Sequence, residues 1–284
     1  MEILRIPALR SPRMIMAFNG WNDAGDAATG AISHLLQLNE PADAELIATF
    51  EPEDFYDFQV NRPLVSVNSI RGREVSWPTT RVYGLSTPKF PFDLVLVTGP
   101  EPSMKWKTFT QELLDLADDL EVALILSIGS LLADIPHTRP ITVTASCANP
   151  LIANRLGVSM SNYQGPTGIL GIIQDSAAKR DIDAISLWAA IPHYASISPS
   201  PKATLALINA LEDYLDVALP QSDLPDLARS WEIAVDEMAS EDSDIAEYIK
   251  QLESTRDEAD LPEATGDSIA RDFERYLRRK ENES

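Results

Sequence analysis

The sequence predicts an α/β fold with a mostly parallel sheet, helices on both faces and a C-terminal helical appendage. Apolar runs of strand length alternate with amphipathic helical patterns through most of the chain. Within them, Asp93–Thr98, Lys105–Leu120 and Val122–Ile128 have the patterns of a strand, a helix and a second strand, the unit that sets two parallel strands in one sheet. After Pro220 the character of the chain changes, and from Ala239 onward it is acidic and poor in large apolar residues.

The elements that precede this unit follow the same alternation. Met14–Phe18 is a continuous apolar run, as a strand buried on both faces requires, and Ala24–Leu38 has apolar residues at helical spacing. Glu45–Phe50 is the next predicted strand. Prolines and a glycine interrupt Val60–Leu85, so short edge strands or loops are expected there, Arg81–Leu85 among them.

The elements that follow the unit complete the predicted domain. They are strands at Ile141–Ser146 and Ala184–Ala190, and helices at Pro150–Leu156, Gly168–Lys179 and Pro201–Leu219. Further helices are predicted at Leu224–Met238, Ile245–Leu252 and Ser268–Arg279. We therefore predict an α/β core domain over residues 1–222 and an acidic helical appendage over residues 223–284, with a partly mobile end.

The charge of the chain argues against two classes of partner. Its 23 Lys and Arg residues against 44 Asp and Glu residues give a net charge of −21. Residues 232–284 alone hold 17 acidic and 7 basic side chains. Nucleic acids and anionic membranes attract basic surfaces, so neither is expected as a partner. No run of about 18 apolar residues appears, so no membrane span is expected.

Cysteine usage and the N-terminus favour a cytoplasmic location. Cys147 is the only cysteine, so an internal disulfide is impossible, and it is expected to be a small buried residue near a strand end. Residues 1–7 lack the long apolar core of a secretion signal.

The carboxyl ends of the predicted strands identify the candidate site, because ligands bind there in open α/β sheets. Each strand end is followed by small or polar residues, and a further loop opens the helix at Gly168. The candidate ligand- or partner-binding residues are Asn19, Trp21, Asn22, Asp23, Asp26, Glu101, Gly165, Thr167 and His193.

The turn after the first long strand has two interpretations. Its glycines permit positive φ, and Asp23 or Asp26 can accept hydrogen bonds from free amides at a helix start. Alternatively, Trp21, Asn22 and an aspartate face a pocket or a partner. The turn lacks the Gly-x-Gly-x-x-Gly spacing of dinucleotide-binding loops, and its two acids would repel phosphate.

Other motifs of catalysis or cofactor binding are absent from the sequence. The loop at Gly165–Gly168 lacks the Gly-Lys-Ser/Thr ending of a phosphate loop, the three histidines have no metal-ligand spacing, and no Gly-x-Ser-x-Gly occurs. Glu101, between two prolines, is either a site carboxylate or a cap for the helix that begins near Met104. No catalytic residue, metal or cofactor is therefore predicted.

Four blocks of sequence resemble the proteasome assembly chaperone family, in its bacterial branch. The blocks occur in the family's order within residues 10–235. They are Ala17–Ala28, Gly99–Pro102 with Trp106, Gly165–Ile169 and Ser186–Tyr194, and the pattern continues through Ser198–Ala203.

This resemblance implies a phosphorylase/hydrolase-like α/β fold and self-assembly into a ring or small homo-oligomer, for which a trimer is our expectation. It also implies proteasome-like core subunits as partners. Some members dock onto that core through a C-terminal hydrophobic-Tyr-any tripeptide. This chain ends Lys280–Ser284 without such a tripeptide, so docking through that motif is not expected.

Two functions are compatible with the sequence. The first is a non-catalytic, self-associating assembly protein. The second is a small-molecule-binding protein or enzyme that acts on a nucleoside- or sugar-like ligand at the strand-end cleft, with a carboxylate or His193 as the acid or base.

Overall fold

Strands and helices alternate along the chain, as the apolar pattern predicts. The computed structural model describes residues 1–37, 44–68, 72–260 and 278–280. The strands are β1 (Glu2–Ile3), β2 (Arg13–Asn19), β3 (Ala44–Thr49), β4 (Leu64–Asn68), β5 (Gly72–Ser76), β6 (Arg81–Leu85), β7 (Leu94–Pro100), β8 (Leu124–Ala133), β9 (Val143–Cys147), β10 (Ser159–Met160) and β11 (Ala184–Pro192). The α-helices are α1 (Ala27–Leu36), α2 (Pro52–Phe55), α3 (Trp106–Asp119), α4 (Pro150–Leu156), α5 (Ile169–Lys179), α6 (Pro201–Leu215), α7 (Leu224–Ser240) and α8 (Ser243–Asp260).

Most of the strands belong to one sheet with the order β1-β3-β6-β7-β2-β8-β11-β9-β10, while β4 and β5 form a separate two-stranded sheet. β2 lies at the centre and is parallel to both β7 and β8. The edge formed by β1, β3 and β6 is antiparallel, and β6 continues antiparallel onto β7. The predicted α/β class is confirmed, with an antiparallel edge added to the parallel centre.

The burial of β2 explains its central position. Every residue from Met14 to Phe18 is fully buried, as expected for a strand covered on both faces. Phe18 lies edge-on to Phe109 of α3, with ring centroids 5.7 Å apart, and Phe50 stacks on Phe109 at 4.1 Å. These aromatic contacts give the turn that follows β2 a rigid base.

The chain divides into two compact units. The first contains Met1–Asp23, Ile32–Gly129 and Ala145–Ser186, and the second contains Ala24–Ala31, Ser130–Thr144 and Leu187–Ser284. The predicted boundary between residues 222 and 223 stays a prediction.

Several predicted ends differ from those observed. The helix predicted over Pro201–Leu219 ends at Leu215, because Asp216 adopts a left-handed conformation with φ 54°. The helix predicted over Ile245–Leu252 extends over Ser243–Asp260. Leu38, at the end of the predicted first helix, and residues 268–277 of the last one lie outside the described residues, as does most of the end predicted to be mobile. Cys147 is buried at the end of β9, as expected.

Among the described residues, no helix combines the length and apolar character that crossing a bilayer requires.

Candidate functional site

The turn after β2 separates an exposed tryptophan from a buried asparagine. The backbone amide of Asp23 donates to the carbonyl of Gly20 at 3.1 Å and closes the turn, in which Gly20 has φ 114°. A positive φ of this size favours glycine. The Trp21 side chain is 66% exposed, whereas Asn22 is 1% exposed and Asp23 is also buried. The turn therefore presents Trp21 outward while its next two residues point inward.

Glu101 joins three segments of the first unit at one carboxylate oxygen. Its Oε1 accepts a hydrogen bond from Asn22 Nδ2 at 2.8 Å and another from the backbone amide of Ile169 at 2.7 Å. The backbone amide of Glu101 donates to the carbonyl of Asn19 at 2.9 Å. We call this arrangement of Asn19, Asn22, Glu101 and Ile169 the Glu101 junction. It connects the end of β2, the end of β7 and the start of α5.

A carboxylate at Glu101 is favourable because it lies at the N-terminus of α5. Ile169 is the first residue of α5, and the first amides of a helix have no acceptor within the helix. A carboxylate there satisfies one amide and interacts favourably with the helix dipole. Glu101 therefore caps a helix, but that helix is α5 and not the one that begins near Met104, which the sequence had suggested.

Gly168 allows the Glu101 junction to form. A Cβ atom at Gly168 would lie 2.9 Å from Asn22 Nδ2 and 2.9 Å from Glu101 Oε1, and it would overlap Asn22 Oδ1. Any larger residue would therefore push these side chains apart. Asn22 Oδ1 is buried and has no hydrogen-bond partner among the described residues.

The remaining predicted residues are divided between the two units. Gly165 and Thr167 are exposed in the loop that leads into α5, so the first unit holds them together with Asn19, Trp21, Asn22, Asp23 and Glu101. Asp26 and His193 belong to the second unit. Asp26 and His193 are both exposed, and His193 Nδ1 lies 3.2 Å from Asp134 Oδ1.

Sequence reasoning missed a buried polar network in the second unit. His137, for which the sequence predicted no role, is 1% exposed. Its Nε2 lies 2.9 Å from Asp236 Oδ1, and its Nδ1 lies 2.9 Å from the hydroxyl of Tyr194. That hydroxyl also accepts a hydrogen bond from the His137 backbone amide at 2.7 Å. Tyr194 and Asp236 therefore hold the two ring nitrogens of His137 from opposite sides, and the Tyr194 hydroxyl also satisfies the His137 backbone amide.

The surroundings of Tyr194 make it a poor acid. Burial, together with the nearby carboxylates of Glu253 and Asp236, raises the pKa of Tyr194 to about 12, although the hydrogen bond from the His137 amide opposes the shift. The hydroxyl therefore stays protonated at neutral pH and serves as a hydrogen-bond donor. His137 lies 57 positions before Tyr194 in the sequence, so no local motif indicates that the two side chains are in contact.

Lys202 and Arg139 link α7 and α8 to the loop that contains His137. Lys202 Nζ donates to the carbonyl of His137 and pairs with Glu232 of α7. Arg139 forms two hydrogen bonds with Asp257 of α8, at 2.8 and 2.7 Å, and an ion pair with Glu253 at 3.3 Å. Beside them, Ala195 packs with Trp231 and Val235 of α7. These contacts make the second unit's helices part of one packed structure.

Neither cluster has the composition of a metal centre. In the described ranges, no three His, Cys, Asp or Glu side chains come close enough together to hold a metal ion. A shallow pocket of about 310 Å³ in the first unit is lined by Asn149, Leu151, Ile152, Arg155, Asp181 and Asp183. None of these residues belongs to the Glu101 junction.

The chain is similar to solved structures along most of its length. A PAC2 family protein from Streptomyces avermitilis is 47% identical, with a TM-score of 0.77, over 84% of this chain and 99% of that chain. A structure described as the Mycobacterium tuberculosis proteasome-assembly chaperone homologue is 43% identical, with a TM-score of 0.75 and the same coverage of 84% and 99%.

A more distant likeness concerns the fold alone. An archaeal proteasome activator from Pyrococcus furiosus is 18% identical, with a TM-score of 0.65, over 84% of this chain and 97% of that chain. No curated protein matches the chain. The profile of the PAC2 family matches residues 17–239, which include the Glu101 junction and all of α7 except its last residue. The chain belongs to the PAC2 family.

Proposed function

We propose that this protein is a non-catalytic, self-associating interaction protein that engages proteasome-like core subunits in the cytoplasm. Support comes from its family and from its 43% identical relative, described as a proteasome-assembly chaperone homologue. The binding surface that we propose comprises the loops joined by the Glu101 junction, and its centre is Trp21.

The observation that carries this proposal is the exposure of Trp21 on a rigid turn. Tryptophan is enriched among residues that dominate binding energy at protein interfaces, because it contributes a large contact area with few rotatable bonds. Asn22 is held by Glu101, so the orientation of the turn is fixed before any partner binds.

Each of the three loops at the junction carries an exposed large apolar side chain. Trp21 is on the turn after β2, Met104 follows Glu101, and Tyr163 precedes α5. Tyr163 is held in its loop by a hydrogen bond from its hydroxyl to the carbonyl of Pro166 at 2.8 Å. Aromatic residues and methionine are enriched at interfaces, so this composition favours a protein partner.

The alternative function, binding or chemistry on a nucleoside- or sugar-like ligand, has one observation in its favour. Asn22 Oδ1 is buried without a partner, as a ligand-binding acceptor would be. However, this oxygen lies where a Gly168 Cβ would be, so little space remains beside it. Glu101 Oε1 already accepts two hydrogen bonds, which suits a structural brace better than an acid or base. The interaction protein is therefore the function that the geometry supports better.

A binding experiment tests the proposal directly. Tagged full-length protein would be incubated with proteasome-like core subunits, and the complexes would be measured by native mass spectrometry. We expect Trp21→Ala to weaken binding about 10-fold or more, as loss of a central aromatic residue does. Leu151→Ala is the matched control, because Leu151 is an exposed apolar residue of the same unit outside the junction. Equal binding by both variants, or no binding by the unchanged protein, would contradict the proposal.

A further inference from the structure

The β4–β5 hairpin has an apolar face that nothing in the described part of the chain covers. Val65 pairs with Val75, and Val67 pairs with Arg73. Cross-strand partners share a face and side chains alternate along a strand, so these four residues lie on one side of the hairpin. Val67 is 82% exposed, and Val65 and Val75 are also exposed.

The opposite face of the hairpin is mainly polar. Its cross-strand pairs are Leu64 with Ser76, Ser66 with Glu74 and Asn68 with Gly72. The hairpin is therefore amphipathic, with the alternation that is normally found where one face is buried. Trp77 follows β5, is exposed and packs at a tilted angle against Phe58, with ring centroids 4.9 Å apart. An isolated two-stranded sheet is marginally stable in water and needs a further strand or a packed surface.

The charge of the hairpin indicates what covers it. Residues 60–77 contain three arginines and one glutamate, whereas the rest of the chain has a net charge of −23. Arg73 is exposed on the same side as the valines. The complementary surface is apolar with acidic residues around it, and a second copy of this acidic chain provides such charge.

The same charges disfavour one arrangement of two copies. Two hairpins packed face to face would each bring the net positive charge of residues 60–77 to the contact, and like charges at close range are unfavourable. The contact therefore joins the hairpin of one copy to a different, acidic surface of the next. A contact between unlike surfaces closes into a ring when its rotation permits.

We propose that the β4–β5 hairpin is the self-association element of this protein, with its valine face and Arg73 seated on an acidic surface of a second copy. This inference rests on the self-association in the proposed function and names its surface. It is independent of the surface around Trp21, which the hairpin does not include.

The mass of the full-length protein in solution tests whether the hairpin mediates self-association. We would measure it by size-exclusion chromatography with light scattering, with circular dichroism to verify folding. The unchanged chain is expected to exceed the 31.3 kDa of one copy by an integral factor. Val67→Glu and Arg73→Glu are each expected to shift the mass towards one copy. Leu64→Glu is the matched control, because Leu64 is 72% exposed on the opposite face and its replacement should leave the mass unchanged.

The outcomes separate this inference from the proposed function. A single-copy mass for the unchanged chain would overturn both the hairpin and the self-association. A multiple-copy mass that Val67→Glu leaves unchanged would overturn the hairpin alone. If Val67→Glu leaves the mass unchanged and instead abolishes binding of core subunits, the hairpin serves a different protein and the inference is wrong. If Val67→Glu shifts the mass towards one copy and only Trp21→Ala loses core-subunit binding, both the inference about the hairpin and the proposed binding surface are supported.

Discussion

Glu101 stabilises the first unit through two hydrogen bonds to one charged oxygen. Replacing it with alanine removes the acceptor for Asn22 Nδ2 and for the Ile169 amide. We expect Glu101→Ala to lower the free energy of unfolding by about 1–3 kcal/mol, because two donors lose a charged acceptor. Glu101→Gln keeps an acceptor and removes the charge, so its cost is expected to be about 0.5–1 kcal/mol, the size of a helix-dipole interaction.

Urea unfolding followed by circular dichroism measures both changes. The control is Glu53→Gln, the same chemical change at an exposed position of α2, with an expected effect within about 0.5 kcal/mol. If Glu101→Ala is no more destabilising than this control, Glu101 does not brace the junction.

Asp93 makes the stability of the first unit depend on pH. Burial alone would raise the pKa of Asp93, but hydrogen bonds from the Arg10 side chain and from the Arg10 and Thr87 amides hold it below its ordinary value. The folded state therefore favours the ionised carboxylate. The resulting stability is fully present above the unfolded pKa of about 3.9 and is lost as the pH falls through the lower folded pKa.

At pH 7 we expect Asp93→Asn to lower the free energy of unfolding by about 1–3 kcal/mol, so that the variant unfolds at a lower urea concentration than the unchanged protein. The difference should shrink as the pH is lowered from about 4, because the carboxylate of the unchanged protein then becomes protonated too. Paired urea titrations at pH 7 and pH 3 measure this. A difference that stays constant or grows towards low pH would mean that Asp93 is not the group responsible.

The sequence could predict that Asn22 and Glu101 follow strand ends, but it could not predict their hydrogen-bond partners. Asn22 and Glu101 were chosen because each follows the carboxyl end of a predicted strand, and the structure joins them directly. Their hydrogen bond links positions 79 residues apart, and periodicity shows which residues face a core without showing which loops meet. His137 was missed for the same reason, since its partners Tyr194 and Asp236 lie 57 and 99 residues away.

At the scale of elements, the attachment of α7 depends on the hydroxyl of Tyr194. Tyr194→Phe removes the partner of both the His137 backbone amide and its Nδ1, and leaves them buried without hydrogen bonds. We expect a loss of about 1–3 kcal/mol in the free energy of unfolding. Faster amide hydrogen exchange is expected in α7, because Asp236 of that helix binds the same imidazole.

Tyr248→Phe is the control within the same aromatic group. The Tyr248 hydroxyl donates to the exposed carboxylate of Asp134 at 3.2 Å, so removing it should cost only about 0–1 kcal/mol. Similar exchange rates in α7 for both variants would show that the Tyr194 hydroxyl does not hold this helix.

Helices and strands with a buried apolar face were predicted well, and strands whose side chains stay exposed were not. β2, β7 and α3 were found close to their observed bounds, because their buried faces dictate continuous or amphipathic apolar patterns. The β4–β5 hairpin lies in a region predicted only as short edge strands or loops. Its apolar residues are exposed within one copy, so their alternation has no burial partner in the described part of the chain, and the pairing of the two strands has no local signal.

At the scale of the whole molecule, α7 and α8 of the acidic C-terminal region are bound into the second unit. The predicted boundary at residues 222 and 223 separates Lys202 and His137 from Glu232 and Asp236, the side chains that satisfy them. It also separates Ala195 from Trp231. Acidic composition predicted a separate appendage here, but it did not reveal these contacts, because they depend on single residues placed on otherwise solvated helices.

The last described residues return to α6, which leads to a prediction for a shortened chain. Glu212 is 1% exposed, and its carboxylate pairs with Arg279 and accepts a hydrogen bond from the Leu219 amide at 2.9 Å. A chain that ends at residue 260 keeps α7 and α8 but leaves this buried carboxylate without its cation. We expect it to lose about 1–3 kcal/mol of unfolding free energy, because an unpaired buried charge is costly.

Glu212→Gln separates this effect from other consequences of the truncation. In the full-length chain the substitution removes one partner of a buried ion pair and should be destabilising. In the chain ending at residue 260 it removes a buried charge that has already lost its cation, while the amide oxygen still accepts from Leu219, so it should be neutral or stabilising. Urea unfolding of the four chains measures the coupling between the truncation and the substitution. Additive effects would mean that Arg279 does not neutralise Glu212 in solution, and the C-terminal residues would then contribute nothing to the second unit through this contact.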